Sequence, residues 1–262
     1  MITSTSNTLI KRIRKLEQKK FRLKENCGFV EGFRGALTAA EYANHLIEKV
    51  VVAPDLLTKD QAITRLHELV NDDLIVEVSA DVFRSLSDRD NPVGMGAVVR
   101  SPLVQIETIP QPKSNSLYVI LDRAGDPGNL GTIIRTADAA GATAVILVGH
   151  SVDPMHPSAL KASLGTIFTI PICHVSVAEL AEWKSIADIS FIGTSAKAEK
   201  NYRQIMQLAP TGLLLGNERE GLSAKLTSLA DETVSIPMAG QASSLNLAVA
   251  AGILMFQLQS KF

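Results

Sequence analysis

The sequence predicts an α/β protein, with a parallel sheet flanked by helices in the C-terminal half and a smaller α/β domain before it. Three observations carry this. Short, almost continuously apolar runs recur in the second half: "LYVILD", "AVILVG", "TIPICHV", "SFIGTSA", "GLLLGNE" and "TVSIPM", with helical patterns between them. Strands apolar on both faces belong to a parallel sheet covered on both sides. A shorter series with the same alternation precedes them. Between the two series, "SPLVQIETIPQPKSNS" carries three prolines and reads as a linker. The expected organisation is therefore a domain over 1–104, a linker over 105–115 and a second domain over 116–262. A chain of 262 residues can support two cores.

Taken in order, Ser6-Asn7 can cap a first helix. Leu9, Ile13 and Leu16 then form an apolar stripe at i, i+4, i+7. Lys11, Arg12, Lys15 and Lys19 lie mostly off that stripe, so the helix can dock by its apolar side and present cations outward. "FVEG" is a candidate strand, "RGALTAAEYANHL" a helix, "KVVVAP" a strand and "KDQAITRLHELVN" a helix. "LIVEVS" follows as a strand, "ADVFRSLSD" as a helix and "GMGAVVR" as a strand. His45 and His67 sit in helical patterns without partners and read as structural or surface residues.

The formal net charge is −1, but residues 1–35 carry +6, residues 36–115 carry −5 and residues 116–262 carry −2. The basic cluster "KRIRKLEQKKFRLK", with Lys11, Arg12, Lys15, Lys19 and Arg22, is the footprint expected of a phosphate-backbone contact. Its alternative is a solvated helix face. No apolar run reaches the roughly 18 residues of a membrane span. The polar, basic start carries no signal-like apolar region. Cys27 and Cys173 lie far apart without metal-like spacing. They read as buried, inert thiols in a reducing cytosol, with no metal site expected.

In open parallel sheets, ligands bind outside the carboxyl ends of the strands. The first such end carries "LDRAGDPGNLGTIIRTADAAGA". Its glycines, Gly125, Gly128 and Gly131, are spaced by three and three with Pro127 inside, which is not the G-x-G-x-x-G spacing of a dinucleotide turn. The next strand ends "LVGH", with no acid for a ribose, and no G-K-[ST] occurs. A small-molecule enzyme with a nicotinamide or nucleoside triphosphate site is therefore disfavoured. Other residues gather at the strand ends: Asn129 and Arg135; Gly216, Asn217 and Glu218; Ile236 to Gly240; and Ser244, Leu245 and Asn246. Each has an ordinary alternative. Asn129, Ser244 or Asn246 could cap a helix, and Glu218 could be a surface acid beside Arg219. Their joint occurrence at one edge of one sheet points to a site.

At these residues the sequence resembles the SpoU (TrmH) family of S-adenosylmethionine-dependent RNA ribose 2′-O-methyltransferases. "NLGTIIRTA" (129–137), "LLLGNEREGLS" (213–223) and "IPMAGQASSLNLAVA" (236–250) resemble the three family motifs in order. "ITSTSNTLIKRIRKL" and "GFVEG" resemble the start of members with an N-terminal RNA-binding domain of ribosomal-protein type. The resemblance implies a SPOUT fold with a C-terminal trefoil knot, working as a cytoplasmic homodimer. Composition could not show this, since knots are rare. It implies that Gly216, Ile236, Met238 and Leu245, with Thr194 and Leu215, hold the cofactor. It also assigns catalysis to Arg135, with Asn129, Glu218, Ser244 and Asn246 around it.

A guanidinium, with a pKa of about 12 or more, is a poor base. Arg135 is better suited to gripping a phosphate and stabilising a developing alkoxide. Glu218 would orient Asn129 or Arg135, and Asn246 would hold the loop geometry. Members of the family it resembles that carry a separate N-terminal domain mostly act on large-subunit ribosomal RNA, so the resemblance favours large-subunit (23S) ribosomal RNA over transfer RNA. Few aromatics are available for base stacking, which favours recognition of a folded RNA by shape. His150, His156, Lys161 and Ser163 are further candidates for the RNA side. The alternatives are a tRNA methyltransferase and a non-catalytic RNA-binding protein of the same fold; the latter would require loss of motif residues, and none is missing.

Overall fold

The computed structural model describes residues 1–57, 60–205 and 210–259. The N-terminal part runs α1 (Thr8–Lys15), α2 (Lys19–Glu25), β1 (Cys27–Glu31), α3 (Phe33–Tyr42), β2 (Ile47–Val52), α4 (Asp60–Leu69), β3 (Ile75–Glu77), α5 (Ala80–Arg84) and β4 (Met95–Arg100). It continues with β5 (Leu103–Val104), β6 (Leu117–Asp122), α6 (Pro127–Ala139), β7 (Ala144–Val148), α7 (Pro157–Ser163), β8 (Ile172–Val175) and α8 (Val177–Ala187). It ends with β9 (Ser190–Thr194), β10 (Lys200–Asn201), β11 (Thr211–Leu215), α9 (Ala224–Thr227), β12 (Glu232–Ser235) and α10 (Leu247–Gln259). The expected strands appear, and helices stand between them as expected except between β9 and β11, where the described residues hold β10 and a 3-10 turn (Tyr202–Gln204); Lys59, the first residue of the pattern behind α4, lies outside the described residues.

The elements form two compact units, one of residues 1–102 with 153–169 and one of 103–152 with 170–262. In the first, a four-stranded sheet has the order β1-β4-β2-β3, antiparallel except for β2/β3. Asn7 caps α1 as the sequence suggests, its Oδ1 accepting from the Leu9 amide at 2.9 Å. The expected single helix is two. The chain turns at Leu16, and Ile10, Ile13 and Leu16 are buried, whereas Leu9 is only partly covered. Residues 153–169 complete this unit. An added Cβ at Gly28 on β1 would lie 2.9 Å from Met155 Cε and 3.1 Å from Leu160 Cδ1, so the strand surface there is flat to admit them.

Of the five cations expected to face outward, Arg22 is buried and Arg12 is half-buried in ion pairs. Arg22 is 3% exposed; its Nε donates to Asp153 at 2.7 Å and its Nη1 to the carbonyls of Leu16 and Glu17. Arg12 is paired with Glu25 and Glu48 at 2.5 and 2.7 Å. A buried guanidinium is kept only with such partners. Lys11, Lys15 and Lys19 are exposed. Ser163 is also removed from the RNA candidates: it is fully buried and donates to the Leu160 carbonyl at 3.0 Å. His156 serves as the N-cap of α7, accepting from Ser158 N, while Lys161 and His150 are exposed.

In the second unit, among the described residues, eight parallel strands take the order β10-β12-β9-β11-β6-β7-β8-β5. β6, β7 and β11 are buried along their whole length, as continuous apolar runs require. The chain builds from β6 through β7 to β8 in one direction, then resumes with β9 on the other side of β6. Such a reversal opens a crevice at the carboxyl ends. The proline-bearing stretch before β6 is packed instead of free. Ile106 and Ile109 join the core with Trp183 and Phe191, and the Tyr118 hydroxyl donates to the Pro110 carbonyl at 2.6 Å. Burial pushes the thiols of both Cys27 and Cys173 up to about 12, with Glu48 adding to the effect at Cys27, so both stay protonated and unreactive near neutrality.

Candidate active site

The crevice at the carboxyl ends is built from the loop after β6, the loop after β11 and the residues leading into α10. α6 begins at Pro127, whose missing N–H costs nothing at a helix start. Its N-cap is Asp126, which accepts from the Asn129 amide at 2.6 Å. Asn129 therefore does not cap; it sits in the first turn with its side chain free for other contacts.

Those contacts run in a chain. Asn129 Nδ2 donates to Glu218 Oε1 at 3.2 Å, and Asn246 Nδ2 donates to Asn129 Oδ1 at 2.9 Å. Glu218 also accepts from the amides of Gly125 at 3.3 Å and Asp126 at 3.4 Å. Asn246 Oδ1 accepts from the amides of Ala248 and Val249, which caps α10. Each amide side chain thus has its oxygen and nitrogen assigned by its neighbours. Three segments distant in sequence are held at one point, and Glu218 orients Asn129, one of the two options the sequence left open.

Beside this chain lies a cavity of about 860 Å³. Its walls come from the ends of β9, β11 and β12 and from the start of α10. Thr194, Gly216, Ile236, Met238, Ser244 and Leu245 all line it, together with Glu218. Six residues picked from three stretches of sequence therefore share one surface with the acid. Thr194 Oγ1 donates to the Leu214 carbonyl at 2.9 Å, tying β9 to β11 at the rim. At Gly216 a Cβ would sit 2.2 Å from Gly221 C and Leu222 N, so only glycine lets the loop close back on itself there. Leu215 does not belong to the lining: it is 1% exposed, a strand residue turned into the core.

Arg135 is not part of the polar chain. It lies six residues beyond Asn129 on α6, about 9 Å along the axis and about 120° round it. It is exposed and makes no hydrogen bond or ion pair among the described residues. Within one chain, then, Asn129, Glu218 and Asn246 converge, Ser244 lines the adjoining cavity, and Arg135 is presented to solvent on the same helix.

The sequence singled out neither Asp122 nor Arg123, which hold the two loops together. Asp122, 2% exposed at the end of β6, accepts from Ser223 N at 2.6 Å and from Arg123 Nε at 3.1 Å. Arg123 also pairs with Glu220. Asp122 first, then Glu220, raise the guanidinium's pKa. Asn217 Nδ2 donates to the Arg123 carbonyl at 2.9 Å. The available signal was position: Asp122 is an acid ending a fully apolar strand, where a buried charge needs a partner.

The sequence model of the SpoU rRNA Methylase family matches residues 116–256, and that of the MRM3-like substrate binding domain matches residues 7–97. The chain is 32% identical over 263 residues to the 23S rRNA (guanosine(2553)-2'-O)-methyltransferase RlmP of Bacillus subtilis, covering 98% of both chains. It superposes on the AdoMet-bound rRNA methyltransferase from Sinorhizobium meliloti with a TM-score of 0.89 at 35% identity, covering 99% of this chain and 97% of that one. For the SpoU methyltransferase AviRb from Streptomyces viridochromogenes, in complex with AdoMet, the TM-score is 0.86 at 29% identity, covering 97% and 98%. With its ordered motifs meeting at one crevice of a parallel sheet, the chain belongs to the SpoU rRNA Methylase family.

Proposed function

We propose that this protein transfers a methyl group from S-adenosylmethionine to a ribose 2′-hydroxyl of RNA, with large-subunit (23S) ribosomal RNA as the substrate. The observation that carries it is the Glu218–Asn129–Asn246 chain beside a cavity walled by the late loops. The volume of about 860 Å³ falls within the range of about 300–1,000 Å³ usual for small-molecule sites. The bare backbone at Gly216 and the apolar surfaces of Ile236, Met238 and Leu245 suit an adenine ring and a thioether chain. With Thr194, these residues would hold the cofactor.

S-adenosylmethionine supplies an electrophilic sulfonium methyl group. The protein's own task is to place a weak ribose nucleophile in line with it and to handle the proton. Asn129, locked between Glu218 and Asn246, presents a fixed amide at the edge of the cavity. Arg135 would supply the positive charge that steadies the oxygen as its proton passes to an RNA phosphate or a water. The exposed Lys11, Lys15 and Lys19 give the N-terminal unit salt-dependent affinity for the RNA backbone without sequence information. The turn after "LLLG" and the loop "IPMAGQASS" (236–244) would form the trefoil knot that the SPOUT resemblance implies. A second copy would cover α10, which carries no charged residue and leaves Val249 and Phe256, seven apart on one face, each 52% exposed.

Incubation with methyl-labelled S-adenosylmethionine and either ribosomal or transfer RNA tests the proposal. Label is expected in large-subunit ribosomal RNA, at a nucleotide resistant to alkaline cleavage. Label confined to transfer RNA would overturn the substrate, and no label in either the activity. Arg135→Lys should keep cofactor affinity and lose about a hundredfold in turnover; near wild-type turnover would refute the role of Arg135.

A further inference from the structure

Asn129 is held by Glu218, and Glu218 stands on the loop of residues 216–223. What fixes that loop is a second set of contacts, centred on two residues outside the cavity lining. Asp122 carries Ser223 N on one carboxylate oxygen and Arg123 Nε on the other. Arg123 pairs with Glu220 on the loop, and its carbonyl accepts from Asn217 Nδ2 at 2.9 Å. The loop itself is a closed turn, with the amides and carbonyls of Asn217 and Gly221 bonded in both directions at 3.0 and 2.9 Å. It therefore moves as one piece, and Arg123 grips it at both ends of that turn.

Arg123 also holds an unfavourable backbone. Its φ is +52°, in the left-handed region that a residue with a Cβ seldom adopts. Strain of this kind persists where the surroundings over-determine it, and such positions gather at functional sites. Here that conformation goes with a carbonyl directed to Asn217 and a guanidinium directed to Glu220.

We propose that Arg123 is a positioning residue for methyl transfer: clasped between Asp122 and Glu220, it sets loop 216–223 at the place where Glu218 reaches Asn129. The inference rests on the methyl-transfer reading above. Arg123 lies outside the cavity lining, but Asn217 and Glu220, which it holds, belong to it, so its loss should be felt mainly at the chemical step and more weakly in cofactor affinity.

Arg123→Gly is the direct test, because glycine adopts the left-handed backbone freely; Asp122 then loses its counter-charge but keeps Ser223 N, so thermal melts accompany the assay and Arg123→Lys, which retains the charge, separates the clasp from lost stability. Turnover should fall about tenfold or more, as for a small misplacement of reacting groups. Kd for S-adenosylmethionine should rise by a smaller factor than turnover falls, because the displaced loop also lines the cavity. Glu220→Gln should reproduce part of the loss. The double variant should be no worse than Arg123→Gly alone, since both remove one clasp. Arg123→Lys should recover part of the turnover. Independently of activity, the amides of Gly125 and Asp126, which donate to Glu218, should exchange with solvent faster in Arg123→Gly. Unchanged turnover with unchanged exchange, or losses that add in the double variant, would overturn the proposal. If the wild-type protein methylates no RNA, the functional reading fails, while the exchange rates still decide the clasp: unchanged rates reject it and faster rates support it.

Discussion

Arg22 offers a sharp test of how residues 153–169 are held in the N-terminal unit. Its guanidinium makes three hydrogen bonds: to Asp153 at 2.7 Å and to the carbonyls of Leu16 and Glu17 at 2.9 and 2.6 Å. The side chains of Arg22 and Asp153 are 2% and 10% exposed. Arg22→Met keeps an apolar stem in the same space and removes the charge. Three acceptors then lose their donor, and Asp153 is left as a buried carboxylate without a counter-charge. Breaking a buried pair from one side costs about 3–5 kcal/mol. At about 2–4 °C per kcal/mol for a chain of this size, the unfolding midpoint should drop by about 6–20 °C. Adding Asp153→Asn removes the stranded charge and keeps the acceptor that Met155 N uses at 2.8 Å, so the double variant should recover much of the loss.

Urea unfolding of the three proteins measures both the loss and its recovery. A loss below about 1 kcal/mol in Arg22→Met, the size of an exposed pair, would show that the contact is solvated and does not hold the segment.

The other predictions concern the site, the interface and the acid limit of stability. Asn246→Ala should cost about 1 kcal/mol in stability through the lost cap of α10, yet far more in turnover, because Asn129 loses the donor to its oxygen; equal, small effects on both would remove Asn246 from the site. Phe256→Glu on α10 should convert a dimer to a monomer in sedimentation, and a wild-type protein that is already monomeric would dispose of the proposed interface. Burial works to raise the Asp231 pKa, but the Lys184 ammonium at 2.8 Å and the Phe191 amide at 2.6 Å outweigh it and hold the carboxyl below its usual range. Its contribution is therefore present above the ordinary carboxylate pKa and lost as pH falls through the lowered one. Asp231→Asn should lower stability at pH 7 and narrow the gap to wild type under acid, in thermal melts from pH 7 to pH 2.

Much of this protein could be read from its residues alone. Continuous apolar strands such as "LYVILD" must be covered on both faces, so a parallel sheet followed from local pattern, and the carboxyl ends of its strands followed from the sheet. Asn129, Glu218 and Asn246 could be picked because motifs at those ends stood out in order. Three things were beyond one-dimensional reading. Cations look alike in a sequence, and only the fold places Arg22 against Asp153, 131 positions away, while leaving Lys15 in water. Segment 153–169 looks like part of the second domain by position, yet its apolar residues meet β1, because packing depends on surfaces and not on chain order. The clasp of Asp122, Arg123 and Glu220 has no spacing signal, since it joins loops about a hundred residues apart through side-chain geometry. Periodicity and motif order are local properties that a chain carries with it; the pairing of distant charges and amides exists only once the backbone has brought them within hydrogen-bond reach.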